Sequence, residues 1–533
     1  MNLRAFFDAD ARIALKFPYS ESLKNEIKTF GGEWDKRKRY WSFYPNLNSI
    51  DFVLKKGFQF SKSDESILSE IVDALLEDEQ QQEYRYQLAT SIHAPGFPDV
   101  AAKCLFPPRS YQWVPTHYAL STGGRFILAD APGVGKTFEG VLVTMHPKFE
   151  DEPVLIVCPA NVIYQFQAEL LKLFGQHSII LENKLHYLVP NVRYYLCTYE
   201  QMKKQDDLGY FFIFDEAHRL KDTKTVRYKE AQRLTAKCKH ILLMTGTPVL
   251  NRSKEAFALL NLVSPGFMSF AQFTKEFCGA YHDGYSYNTN GNSNTNRLHR
   301  YMYSNHMMRR EPEQVESQLP PQTHQVVELA KKVVTSDSVF GLYSDSGLLK
   351  SQDPTFLEWM DDAFEVTDKF LLFAYHKPMM DAMEKKAQEL GYSYIRIDGD
   401  TPADQRHKLA ERFNNDPSIK VAILSITAAS EGLNLQAANV VIFAELYFVP
   451  GIIEQCYKRS HRSGQERHVL ILYPLWSEFE HYLQSLLMEK MAFITRLHKG
   501  LADEVKQSSL VSDIAKKFNI PSKSKKNDHE KAA

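Results

Sequence analysis

Apolar residues gather in short runs along two long tracts of the chain, with stretches of helical spacing between them. Phe126–Ala129, Val154–Cys158, Tyr194–Cys197, Phe211–Phe214 and Ile241–Met244 make up the first tract. Phe370–Phe373, Tyr394–Ile397, Val421–Leu424, Val440–Phe443 and Val469–Tyr473 make up the second. This alternation predicts strands joined by crossover helices, hence an α/β chain with two parallel-sheet lobes. A small α+β module is expected ahead of them. It has a strand over Ile13–Phe17, a helix over Glu21–Phe30 stopped by Gly31-Gly32, and a second strand near Trp41.

Boundaries follow from the same pattern. Residues 1–62 form the N-terminal module, and 63–105 an acidic helical linker with Ile67, Leu68, Ile71, Leu75 and Leu76 at helical spacing. Residues 106–315 form the first lobe with a helical protrusion, in which Gly284–Asn296 reads as a surface spacer loop. Leu319-Pro320-Pro321 marks the start of a helical connector over 316–365, and 366–475 form the second lobe. An amphipathic brace helix over 476–502 and a disordered tail over 503–533 complete the chain.

The strand ends carry the chemistry. Phe126-Ile-Leu-Ala breaks into Asp130-Ala-Pro-Gly133-Val-Gly135-Lys136-Thr137, the layout of strand, phosphate loop and helix start. Backbone N–H groups at a helix N-terminus hold a polyphosphate, and glycines allow close approach. Lys136 would reach the β- and γ-phosphates and the Thr137 hydroxyl would hold Mg²⁺, although Asp130 stands where the usual loop has Gly. The alternative is a glycine-rich turn without a ligand. The run Phe211–Phe214 ends in Asp215-Glu216-Ala217-His218, where one carboxylate can support Mg²⁺ and the next can orient and deprotonate water. An Asp-Glu pair alone is ordinary surface charge, so the phosphate loop upstream gives it weight. Gln112, a helix's length before the loop, is placed to read an adenine edge. Arg459 and Arg462, three apart on one side of an expected helix, could neutralise charge on a γ-phosphate held by the other lobe.

Two further features bear on partners. Trp34-Asp-Lys36-Arg37-Lys38-Arg39-Tyr40-Trp41-Ser-Phe43-Tyr44 interleaves cations and aromatic rings, a mixture that can neutralise phosphates and stack on exposed bases. It equally suits a twisted hairpin with Trp34, Trp41 and Phe43 in a core and its cations solvated. The formal net charge of −1 means that a nucleic acid would be held by local basic surface. The six cysteines are scattered without a C-x-x-C pair, which excludes the common zinc spacings and suits a reducing compartment. With no signal-peptide layout and no apolar run of spanning length, the chain is expected to be soluble and intracellular, away from membranes.

Together these motifs resemble the Swi/Snf-like group of superfamily-two DNA translocases over about 105–502. The first motif of that group also opens with Asp, so Asp130 agrees with it, while Ala131-Pro132 departs from its usual Glu-Met. Leu155-Ile-Val-Cys-Pro159-Ala160, Thr198-Tyr199-Glu200, the Asp-Glu-Ala-His box, Leu243-Met-Thr245-Gly246-Thr247-Pro248 and Met308-Arg309-Arg310 follow in the family's order. Phe443-Ala444-Glu445-Leu446-Tyr447-Phe448-Val449-Pro450-Gly451 is similar to the annealing-helicase branch, and the N-terminal module to the HARP module of the same proteins. In Ser425–Leu435, Ser430-Glu431 replaces small residues.

The resemblance implies two RecA-like lobes using ATP and Mg²⁺. Gln112, Gly133, Gly135, Lys136, Thr137 and Gly432 would bind nucleotide, and Thr137 and Asp215 the metal. Lys136, Asp215, Glu216, Arg459 and Arg462 would carry catalysis, and His218, Thr245, Thr247 and Gln465 would couple it to DNA. Lys36, Arg37, Lys38, Arg39, Thr198 and Asn434 would touch DNA. The expected activity is ATP-driven translocation on double-stranded or branched DNA by a monomer, remodelling or annealing forks in replication or repair. The alternatives are a viral or defence-system translocase with a nuclease partner, and an RNA helicase. The compact layout suggests the cytoplasm of a prokaryotic or viral host cell.

Overall fold

The computed structural model describes residues 3–248, 252–282, 287–289, 291–315, 319–365, 369–429, 433–462, 464–501 and 510–520. They fall into two compact units, Met1–Arg85 and Tyr86–Ala533.

The first unit is an antiparallel sheet in the order Arg4–Phe7, Ile13–Lys16, Tyr40–Phe43, Glu33–Asp35. Helices Glu21–Thr29 and Leu47–Lys55 supply Ile27, Ile50 and Val53 to a core shared with Ile13, Leu15 and Phe43. Each such side chain contributes about 1.5–3 kcal/mol on full burial. Ser20 caps the first helix through its side chain, and Asn46 with Ser49 forms a capping box on the second. The acidic helix, Lys62–Thr90, is not only a linker. Leu68, Ile71, Val72 and Leu75 form a stripe on one face that packs on this core, so the unit runs past residue 62.

Among its described residues the second unit holds two large sheets, each parallel throughout, and a two-stranded antiparallel ribbon of Tyr281–His282 with Tyr287–Asn288. The first runs Met307–Met308, Arg125–Leu128, Ile241–Met244, Phe211–Asp215, Val154–Cys158, Tyr194–Thr198, Ser178–Ile180. The second runs Gln322–Lys332, Val469–Ser477, Val440–Phe443, Phe370–Ala374, Ile419–Ser425, Ser393–Ile397. The stretch expected as a helical connector begins as an 11-residue strand on the edge of the second sheet, followed by helices Val339–Gln352 and Pro354–Glu365. That strand is rich in polar residues and mostly solvated, which hid it from a search for apolar runs.

Helix Glu478–His498 joins the lobes. Phe479, Leu483 and Leu487 belong to the second lobe's core, and Phe493 and Leu497 to the first lobe's. Part of the tail expected to be disordered is helical: Leu510–Lys517 buries Leu510 and Ile514, one helical turn apart, in the second lobe's core. Ser430, Glu431 and Gly432, and part of Gly284–Asn296, lie outside the described residues. Among the described residues no helix is long and apolar enough to cross a membrane.

Candidate active site

The strand Arg125–Leu128 sits inside the first sheet and releases the chain into the glycine loop at its carboxyl end. Gly133 and Gly135 hold φ of 100° and 108°, a region closed to side chains without strain. Gly135 caps helix Lys136–Thr144 with no side-chain hydrogen bond, so the first-turn N–H groups are presented to an anion. The Lys136 ammonium donates to the Asp130 carbonyl at 2.8 Å, folding back over the loop. Gln112 stands above it: its Oε1 accepts from Arg109 N at 2.9 Å, and its Nε2 is 3.3 Å from where a Gly135 Cβ would be.

Asp130 serves the loop from inside the protein. Its carboxylate accepts from Arg310 N at 2.7 Å and from Arg310 Nε at 3.0 Å, and it pairs with Arg310 Nη2. Arg310 also reaches Glu139 Oε1 at 2.7 Å and the Tyr111 carbonyl, and all three charged side chains are fully buried. Burial raises the Glu139 carboxyl well above its usual range against the pull of Arg310. Removing one member of such a buried set costs about 3–5 kcal/mol. The short strand Met307–Met308 brings Arg310 here. Nearby, Pro132 fills the space a side chain at Gly246 would need: a Cβ there would come within 2.8 Å of its ring.

Two strands away, Phe211–Asp215 ends at the carboxylate pair. Glu216 holds φ 51°, left-handed backbone that a non-glycine residue rarely adopts, so its neighbours keep it strained. Burial and the neighbouring Glu216 push the Asp215 carboxyl up to about 7. Glu216 is buried too, which would raise it, but His218 and Lys136 hold it down at about 2. His218 Nδ1 lies 3.3 Å from Glu216 Oε2 and 3.3 Å from Thr245 Oγ1. Thr247 N donates to Thr245 Oγ1 at 3.2 Å, and Gln455 Nε2 of the second lobe donates to Thr247 Oγ1 at 3.1 Å. A continuous polar chain therefore runs from Glu216 across the lobe boundary.

The arginines are not on a helix face. Helix Pro450–Tyr457 ends before them, and Arg459 N and Ser460 N donate three residues back, to Cys456 O and Tyr457 O. The expected three-residue spacing is that of this tight turn. Gln465 Nε2 donates to the carbonyls of Gln436, Ala438 and Ser460, fixing the turn against the sheet. The lobes are closed: Arg462 Cγ is 3.6 Å from where a Gly133 Cβ would be.

A cavity of about 440 Å³ results, lined by Gly133, Gly135, Lys136, Thr137, Asp215 and Glu216 on one side and by Asn434, Gln436, Arg459 and Arg462 on the other. Burial and the adjacent Arg459 lower Arg462 to about 9, the condition of a guanidinium in want of an anion. Asp215, raised to about 7, is a carboxyl in want of a cation. The donor set fits a polyphosphate with a hard divalent ion held by Thr137 and Asp215. A larger cavity of about 690 Å³, also between the lobes, lies beside the ion chain Arg309, Glu311, Lys458 and Glu454 and lacks this chemistry.

Other expected residues are placed differently. Asn434, expected to touch DNA, lines the cavity between the lobes beside Arg459 and Arg462. The Thr198 hydroxyl accepts from Gln201 N at 3.1 Å and closes a local turn. Lys36, Arg37, Lys38 and Arg39 are all exposed on the turn between two N-terminal strands. Of the aromatic residues there, Phe43 is core, Trp41 is half-buried and Trp34 is 45% exposed. Gly432 lies outside the described residues. The sequence reading missed Gln165, Glu169 and Lys172, which line the cavity from helix Ile163–Phe174. Their spacing of four and three residues was the available signal.

Comparison with known proteins covers both lobes. Residues 108–336 match the SNF2-related domain and residues 356–464 the helicase conserved C-terminal domain. The chain is 32% identical over 406 residues to the SWI/SNF-related matrix-associated actin-dependent regulator of chromatin subfamily A-like protein 1 homolog of Caenorhabditis elegans, covering 69% of this chain and 58% of that one. It is 32% identical over 405 residues to the DNA annealing helicase and endonuclease ZRANB3 of Homo sapiens, covering 67% and 37%. The chain thus spans about half or less of the length of these relatives, and neither supports a prokaryotic or viral source. The solved Sulfolobus solfataricus SWI2/SNF2 ATPase core in complex with dsDNA aligns at 21% identity and a TM-score of 0.39, over 75% of this chain and 94% of that one.

Proposed function

Because the chain carries an SNF2-related domain followed by a helicase conserved C-terminal domain, and so belongs to the SNF2-type family of superfamily two, we propose that it is an ATPase that moves along double-stranded or branched DNA and remodels or anneals forks. The observation that carries this reading is the divided cavity, with loop and carboxylates from one lobe and both arginines from the other. Hydrolysis then depends on closure.

In the closed cleft the Lys136 ammonium and the first-turn N–H groups bind the phosphates, and Gln112 orients the base above the loop. Glu216, ionised at neutral pH, orients water for attack on the γ-phosphate and accepts its proton in the transition state. Arg459 and Arg462 neutralise charge on the departing phosphate. Mg²⁺, held by Thr137 and Asp215, would supply neutralisation of phosphate charge. The chain from Glu216 through His218, Thr245 and Thr247 to Gln455 would report the state of the site to the second lobe. Gln465 would keep the arginine turn in position. Similarity to the human DNA annealing helicase and endonuclease ZRANB3 supports annealing over processive unwinding.

The test is ATPase rate without DNA and with single-stranded, double-stranded and forked DNA, with analysis of fork products. Stimulation by duplex and forked DNA with reannealed products is expected, and affinity should fall steeply with salt. Equal rates on all four would sink the reading, and preferential stimulation by RNA would favour an RNA helicase.

A further inference from the structure

We propose that Glu311 of the first lobe and Lys458 of the second are positioning residues for hydrolysis, their ion pair clamping the arginine turn over the nucleotide when the cleft closes. The proposal rests on the reading of this chain as an ATPase and adds how the second lobe's arginines are brought into place.

Lys458 stands directly before the turn. Its carbonyl accepts from Arg462 Nε at 3.0 Å, and its N–H donates to Glu454 O at 3.1 Å as the cap of helix Pro450–Tyr457. A shift of Lys458 therefore carries Arg459 and Arg462 with it. Its ammonium leaves its own lobe and donates to Glu311 Oε2 at 3.4 Å. Glu311 is in turn tied to the frame of the phosphate loop. Its Oε1 accepts from Arg309 Nε at 2.9 Å and Nη2 at 2.7 Å, while Arg309 Nη1 donates to the carbonyls of Ala129 at 2.8 Å and Gly246 at 2.7 Å. Ala129 is the residue before the loop, and Gly246 lies between the two threonines of the polar chain from Glu216. One ion bridge thus links the base of the loop to the arginine turn.

Burial decides what this bridge can do. Lys458 is 4% exposed and Arg309 9%, so the chain of charges differs from the solvated surface pairs that contribute little. Each side also keeps a partner in its own lobe: Lys458 Nζ is 2.7 Å from Glu454 Oε1, one helical turn back, and Glu311 has Arg309. Separating Glu311 from Lys458 leaves neither charge unpaired, which avoids the cost that makes a lone buried pair hard to break. All four side chains line the cavity of about 690 Å³, so the two halves have room to part. Burial would raise the Glu311 carboxyl, but Arg309 and Lys458 hold it at about 2, and it is ionised at neutral pH. A buried contact that crosses the lobes and breaks without orphaning a charge is suited to form at each closure rather than to hold the fold.

The experiment is a double-mutant cycle on the full chain, with kcat and KM for ATP measured with and without duplex DNA for Glu311→Gln, Lys458→Met and the pair. Each single variant should lose about tenfold in kcat while KM moves less than about twofold, and the pair should lose no more than either single. In a background of Arg459→Ala with Arg462→Ala, Lys458→Met should cost no further rate in single-turnover hydrolysis, because it acts through those arginines. A loss of about a hundredfold in the pair, a further tenfold loss in the arginine-less background, or an unchanged kcat in either single variant overturns the clamp. A merely structural pair would lower the denaturant midpoint and leave the kcat of folded protein unchanged, which also overturns it. Wild-type hydrolysis that DNA does not stimulate, with the two losses still coupled, would overturn the proposed motor and leave the clamp standing; no hydrolysis by the wild type would overturn both.

Discussion

The two parallel sheets of the second unit are built alike, yet the carboxylates at their strand ends do opposite work. In the first lobe Asp215 and Glu216 open onto a cavity, beside a strained backbone and a lysine. In the second, Glu445 follows the strand Val440–Phe443 and is buried. Its Oε2 accepts from the backbone N–H groups of Tyr375 and His376, both at 2.8 Å, and its Oε1 lies 2.7 Å from His376 Nδ1. A strand-end carboxylate can therefore act on a ligand only where its oxygens face space. Where they face amide donors, the same residue ties one strand end to the next helix.

Variants can break that contrast. The largest effect is expected from Lys136→Ala and Glu216→Gln, which should each abolish turnover, the second while still binding ATP; steady-state hydrolysis with equilibrium nucleotide binding decides both. Arg459→Ala or Arg462→Ala should lower kcat about 10³-fold with ATP binding retained, since an arginine finger acts on the transition state. A loss of binding equal to the loss of rate would instead make them ground-state ligands. Glu445→Ala should do the reverse of Glu216→Gln. It orphans two backbone donors and should cost about 2–4 kcal/mol of stability, read by denaturant unfolding, while folded protein keeps its nucleotide affinity. The smallest effect falls to Gln112→Ala, with KM for ATP rising a few-fold and discrimination against other nucleoside triphosphates relaxing.

What could be read in the chain divides along similar lines. Strands buried on both faces announced themselves, because burial on both sides demands an unbroken apolar run; Val154–Cys158 and Val440–Phe443 lie where expected. The glycine loop was legible because few other arrangements need those residues in that order. The edge strand Gln322–Lys332 was not, since it keeps much of its length in water and its pattern is polar. Nor could local spacing reveal that Asp130 pairs with Arg310, 180 residues away, or that Glu139 joins them. The arginine turn shows a subtler limit: a spacing of three suits an α-helix and a tight turn equally, and only the packed chain chooses.

Helix Glu478–His498 carries a mechanical consequence. A rod of 21 residues is sunk at one end in the core of one lobe and at the other in the core of its neighbour. The lobes cannot drift apart without pulling Phe493 and Leu497, or Leu483 and Leu487, into water. Opening of the cleft must therefore bend or twist this rod.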